Sequence, residues 1–201
     1  YNNRRNSTVV YSFKMQQEFT VDCLMPPNDV DTEVEELHCI LMAQEECSIM
    51  GEGNDIAVVD DEELGNEAVV EIVGRRANIS FTSTSILRYL MLYIKHLDKF
   101  FRVKVELVDD SKKYRTLSLG NDRSLATISE LEAALPMIFE RPGWQYVCID
   151  LEDLVFRAFG TRYLTACRVQ VFGDCRLHRA YLADRRYADA ELPSHLRVLS
   201  S

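Results

Sequence analysis

The side chains that could do chemistry are thinly spread along the 201 residues and form no catalytic motif. There is no GxGxxG, no P-loop and no HExxH. Of the four histidines, His38, His96, His178 and His195, none stands in a motif with a nucleophile. Ser194 and His195 are only sequence neighbours near the C-terminus and read as solvent-facing. His38, Cys39 and Cys47 lack the fourth ligand that a tetrahedral zinc site needs. Asp29, Asp31 and Glu33 alternate as in a calcium loop, yet Val34 and Ile40 stand where such a loop needs glycine and a bidentate acid. Asp109-Asp110 runs into Ser111-Lys112-Lys113 and reads as a turn rather than a pair of catalytic acids. Asp150, Glu152 and Asp153 are the best carboxylate cluster, and acids there stabilise a helix N-terminus through the backbone dipole. The expectation is no catalytic residue, no cofactor-binding residue and no metal ligand, hence no enzyme.

Arginine is the residue type that stands out. Arg157, Arg162, Arg168, Arg176, Arg179, Arg185 and Arg186 fall within one stretch that holds no lysine. A guanidinium grips planar carboxylates with a rigid fork and desolvates more cheaply than an ammonium, which suits a protein–protein contact. Arg176, Arg179, Arg185 and Arg186 are chosen, on charge, as partner-binding residues. The plainer reading is a solvated sheet face, since exposed charges are the default.

Strands must position these arginines. Leu164–Phe172 and Arg176–Leu182 carry strand character, with Cys167, Val169 and Val171 on one face and Arg168 and Gln170 on the other. Gly173-Asp174 between them predicts a hairpin or a tight strand-to-strand corner. Upstream, Thr8–Phe13, Ala68–Val73 and Asn78–Thr82 read as strands, and Glu36–Met50 as a short helix or a strand. Residues 87–119 read as strand, turn, strand, turn, strand, from the alternation of Phe101, Val103, Val105 and Leu107 with Arg102, Lys104 and Glu106. Ser129 with an acid three residues on predicts a short helix to about Leu135. Trp144–Leu151 is a strand with Trp144 as a core anchor, and Glu152–Phe159 a two-turn helix ended by Gly160. From His195 the chain trails off. With no βαβ alternation, the pattern gives an all-β fold, an antiparallel two-sheet sandwich of jelly-roll type with two short helices.

The charge is unevenly divided. Residues 1–74 hold three basic and seventeen acidic side chains (−14), residues 75–201 twenty and fifteen (+5), which sum to the net −9. An acidic partner is drawn to the C-terminal part and repelled by the N-terminal part. We therefore divide the chain into an acidic N-terminal extension, 1–54, and a β-sandwich domain, 55–199. The basic residues are not interleaved with exposed aromatics, so nucleic acid is not the expected partner. No run reaches the roughly 20 apolar residues that span a bilayer, and no membrane partner is expected. The six cysteines form no CxxC pair, which predicts a reducing, intracellular compartment. The chain opens at Tyr1 without a signal-peptide pattern, leaving room for a start further upstream.

Several runs occur together in one order: Phe100–Asp110, Gly143-Trp144, Arg157–Tyr163, Leu164 with Arg168–Val171, Cys175-Arg176 with Arg179, Tyr181, Asp184-Arg185 and Tyr187, and Glu191-Leu192-Pro193. Together they resemble the domain of the cilia- and flagella-associated protein 20 family, from about Ile86 to Leu199 and more weakly back to Asp55. The resemblance implies a non-enzymatic β-sandwich of the cilium or flagellum, built into the cytoskeleton of the axoneme. Its implied partners are tubulin of the doublet microtubule and neighbouring axonemal proteins. Family members sit at the inner junction between A- and B-tubules, beside the parkin co-regulated protein. Residues 1–54 and the loop Gly120–Pro136 depart from the family pattern and mark a divergent paralogue. Its place is left open between the inner junction, another site on the doublet and the centriole. The alternative is a ligand- or carbohydrate-binding sandwich, for which Tyr89, Tyr93 and Tyr114 are the candidate platform.

Overall fold

Alternating apolar residues in two runs of 21 residues each organise the fold. The structure, a computed structural model, describes residues 20–25, 47–53, 55–139 and 141–198. Its strands in chain order are β1 (Val21–Met25), β2 (Cys47–Met50), β3 (Ile56–Asp61), β4 (Glu67–Ile72), β5 (Asn78–Thr82), β6 (Tyr89–Asp109), β7 (Tyr114–Gly120), β8 (Thr127–Ile128), β9 (Glu132–Pro136), β10 (Gly143–Asp150) and β11 (Tyr163–Ala183). Helix α1 (Leu151–Phe159) stands between the last two.

The long strands β6 and β11 run antiparallel from Tyr89↔Ala183 to Asp109↔Tyr163. Both turn a corner in mid-course. Asp98 in β6 has φ 56° and Gly173 in β11 has φ 93°, the left-handed region that side chains disfavour. A side chain at Gly173 would collide with the Phe100 carbonyl, so glycine is required there. On one side of the corner, β10, β6, β11, β1, β4 and β3 form one layer. On the other, β8, β9, β7, β6, β11, β5 and β2 form the second. Both layers share β6 and β11, whose pairing shifts register at the corner from Gly173↔Phe101 to Cys175↔His96, so the described strands form one folded sheet of 11 strands. Leu90, Leu92 and Ile94 of the first layer and Val103, Val105 and Leu107 of the second belong to one buried core. Helix α1 is capped by the Asp150 carboxylate on the Asp153 amide, ends at left-handed Gly160, and buries Leu151 and Val155.

The all-β sandwich read from the sequence is the fold observed, with corrections in detail. Of the two alternatives for Gly173-Asp174 the corner is the one observed, and residues 89–109 are one bent strand rather than two. The expected helix after Ser129 is strand β9, which runs parallel to β7 (Leu117↔Ala133), so the sheet is mixed and one α-helix is present among the described residues. Ser129 Oγ does accept from the Glu132 amide at 3.1 Å, as a cap would, but Ser129 N–H donates to Glu132 O at 2.8 Å and closes a turn. A single helical turn is weak on its own, and pairing with β7 outweighs it. A bulge between Ala166 and Arg168 puts Ala166 in the core and leaves Cys167 half-buried. The chain does not trail off at His195: Leu192 and Leu196 pack on Met91, Tyr181 and Ala183 over the outer face of the first layer.

The extension drawn over residues 1–54 is partly built into the domain. β1 pairs with β11 and buries Leu24 and Met25, while β2 pairs with β5. The strand expected over Thr8–Phe13, the acidic run Asp29–Glu36, His38 and Cys39 lie outside the described residues.

Candidate functional site

The outer face of the first layer carries a row of charged and aromatic side chains set by strand register. Glu71 of β4 stands opposite Arg176 of β11, Arg176 opposite Lys95 of β6, and Lys95 opposite Trp144 of β10. At its centre is Asp61, the last residue of β3, with no exposed surface. Its carboxylate accepts from Arg176 Nη1 at 2.6 Å, from Trp144 Nε1 at 3.1 Å, and from the Glu63 amide at 3.0 Å. Lys95 Nζ lies 3.4 Å away. Burial opposes ionisation of Asp61, but the hydrogen bonds from Arg176 and Trp144 and the Lys95 charge outweigh it and hold the pKa at about 2. Arg176 also donates to Glu71 at 2.7 Å.

Beside this row lies a cluster with unsatisfied polar atoms. His178 is 2% exposed, and burial and the Arg179 charge hold its pKa at about 3. The neutral ring donates from Nε2 to Glu67 at 2.7 Å, and Nδ1 has no partner among the described residues. Arg179 Nη2 reaches Glu67 only at 3.6 Å, its Nε is unpartnered among the described residues, and burial lowers its pKa. Tyr93 stacks on Trp144 at 5.1 Å and meets Tyr146 at 4.6 Å.

The four arginines chosen from the sequence therefore fall into two pairs. Arg176 and Arg179 answer carboxylates of this chain, with side chains 26% and 14% exposed. Arg185 and Arg186 are exposed, lying over Tyr187 at 4.6 Å and Tyr89 at 5.6 Å. The three tyrosines of the carbohydrate alternative do not share a platform. Tyr89 and Tyr93 are half-buried on β6, and Tyr114 is 73% exposed on β7. Trp144 is not the core anchor expected; it is half-buried and held by Asp61.

Asp109 is likewise more than a turn residue. It is fully buried, accepting from Arg115 Nε at 2.7 Å and Thr161 Oγ1 at 3.0 Å. Burial raises its pKa, and the Lys113 amide, Arg115 and Thr161 more than reverse that. Asp61 and Asp109 are the two residues whose roles the sequence reading misses. Asp109 closes β6 on its buried side, a placement signalled by the alternation through Phe101–Asp109. Asp61, by contrast, lies on the outer face of β3, opposite the core-packed Ile56 and Val58, and is buried by Arg176, Trp144 and Lys95 from distant strands. Asp150 caps α1 and pairs with Arg88 at 2.7 Å, as its position at a helix N-terminus implied. These carboxylates are met by arginines and amides of the fold, an arrangement that fixes shape.

Among the described residues β10 pairs only with β6, and no described strand pairs with its other edge. A groove of about 770 Å³ runs along this edge, between Trp144–Val147 and the strap Met137–Phe139. Arg141 lines it, exposed, and Ile138 is 85% exposed at its rim.

Comparison with known proteins places these features in context. Residues 41–200 match the CFA20 domain. The "Cilia- and flagella-associated protein 20" of Caenorhabditis elegans is 30% identical over 149 residues, which is 70% of this chain and 72% of that protein. Its namesake in Chlamydomonas reinhardtii is 31% identical over 140 residues, 65% of this chain and 73% of that one. The Paramecium tetraurelia protein of the same name is 29% identical over 149 residues, 70% and 77% of the two chains. Among solved structures, TmCBM61 in complex with β-1,4-galactotriose covers 71% of this chain and 90% of its own, at 11% identity and a TM-score of 0.35. A likeness that slight carries no argument for sugar binding.

Proposed function

The chain belongs to the CFA20 domain family, and from that premise we propose that it is a non-enzymatic structural component of ciliary and flagellar doublet microtubules. It is a cilium- and flagellum-associated protein. In this reading it binds tubulin and neighbouring axonemal proteins, at the inner junction between A- and B-tubules, through exposed arginines. The observation that carries the reading is the charge division: residues 75–201 have an excess of five basic residues while the chain as a whole is at −9. A polymer with an acidic surface is attracted to that part alone.

In this reading two of the four arginines do the work. Arg185 and Arg186 follow β11 directly, exposed, with their guanidinium groups over the rings of Tyr187 and Tyr89. Arg176 and Arg179 stand behind them as part of the scaffold. The position of the protein in an axonemal density map tests the reading. Density for a sandwich against the doublet wall at the inner junction, with residues 185–186 toward tubulin, supports it. Density elsewhere, or with that end turned to solvent, refutes it.

A further inference from the structure

Natural edge strands are blunted by prolines, lysines or bulges, because an open edge recruits further strands. β10 has none of these. Its eight residues keep an unbroken register with β6, from Gly143↔His96 to Asp150↔Tyr89. The layers are also unequal on this side of β6. The first layer ends at β10, whereas the second continues past β7 to β9 and β8. Among the described residues no strand follows β10 in the first layer, and the groove along Trp144–Val147 lies beside it.

We propose that the edge of β10 left unpaired among the described residues is a β-addition site that takes one extended, apolar segment of a partner protein, with a carboxylate placed to meet Arg141. Backbone groups of the edge supply hydrogen bonds, and Val147, Tyr146 and Ile138 supply apolar contact to alternate side chains of the guest. Arg141 is the charged residue that lines the groove. Among the described residues, Asp189 is engaged by the Tyr146 hydroxyl at 3.1 Å and the Val198 amide at 2.9 Å, and Asp150 by Arg88 at 2.7 Å. The groove thus favours an acidic guest. This inference does not depend on which surface meets the microtubule.

The test uses the purified full chain and a labelled peptide of alternating valine and threonine with glutamate at both ends, against the same peptide ended in lysine. Fluorescence anisotropy is expected to show binding of the glutamate peptide, with roughly ten-fold weaker binding of the lysine peptide. Arg141→Glu is expected to invert that preference, and Ile138→Glu to weaken both; both positions are exposed, so folding is spared. Hydrogen exchange is expected to slow at residues 143–150 when the glutamate peptide is added. No binding up to about 1 mM, protection elsewhere, or indifference to Arg141→Glu overturns the proposal. So does full protection of residues 143–150 before any peptide is added, or a dimer by sedimentation whose formation covers them.

Discussion

Arg176 places Nη1 2.6 Å from Oδ2 of Asp61, and that carboxylate has no contact with solvent. The pair ties the end of β3 to the middle of β11, 115 positions along the chain. The first layer is locked by it, and Arg176 belongs to the scaffold before it belongs to any interface.

Removing the carboxylate should therefore cost more than a surface pair does. Asp61→Asn leaves Arg176 and Lys95 without their buried counter-charge, and a loss of about 3 kcal/mol is expected in urea unfolding. The acid limb of stability should change with it. Asp61 titrates at about 2 in the fold against 3.8 ordinarily, so on acidification the unfolded chain takes up its proton first. The stabilisation is complete above the ordinary value and is lost as pH falls through the folded one. Tm measured across that window should fall less steeply in Asp61→Asn than in the parent.

The second buried pair makes a separable test. Arg115 Nε meets Asp109 Oδ2 at 2.7 Å, with side chains 7% and 0% exposed. Arg115→Met strands the carboxylate, and a cost of about 3–5 kcal/mol is expected. Adding Asp109→Asn should recover much of it, which a double-mutant cycle in urea would measure.

Two glycines with left-handed backbones should behave differently. Gly173, at the corner of β11, faces the Phe100 carbonyl, whereas a methyl group at Gly160, after α1, would meet no heavy atom within 4 Å. Gly173→Ala is expected to cost about 3 kcal/mol from strain and overlap together. Gly160→Ala should cost only about 1 kcal/mol, from backbone strain alone. Thermal unfolding of the two variants side by side checks the difference.

Much of the fold was legible because alternation is a local signal. Asn78–Thr82, the run from Phe101 to Leu107, and the helix closed by Gly160 all stand where their patterns put them. What escaped was whatever depends on partners distant in sequence. A Gly-Asp pair reads alike for a hairpin and a corner, and only the pairing of β6 with β11 decides between them. Ser129 offers a helix cap, and the edge of β7 offers something better. Asp61 sits in an acidic run that looks solvated until Arg176 and Trp144 are folded onto it. The arginine-rich stretch was visible at once, but charge alone could not separate Arg176 and Arg179, which face this chain's own carboxylates, from Arg185 and Arg186, which face outward.

That separation makes the most direct test of the central claim, and it needs only binding and folding measured together. Arg185→Glu/Arg186→Glu should leave Tm within a degree or two of the parent, because surface changes of this kind alter stability by about 0.5 kcal/mol at most. The same variant should lose most of its salt-sensitive co-sedimentation with microtubules. Co-sedimentation equal to the parent's across a salt series, from a variant that remains folded, would contradict the account.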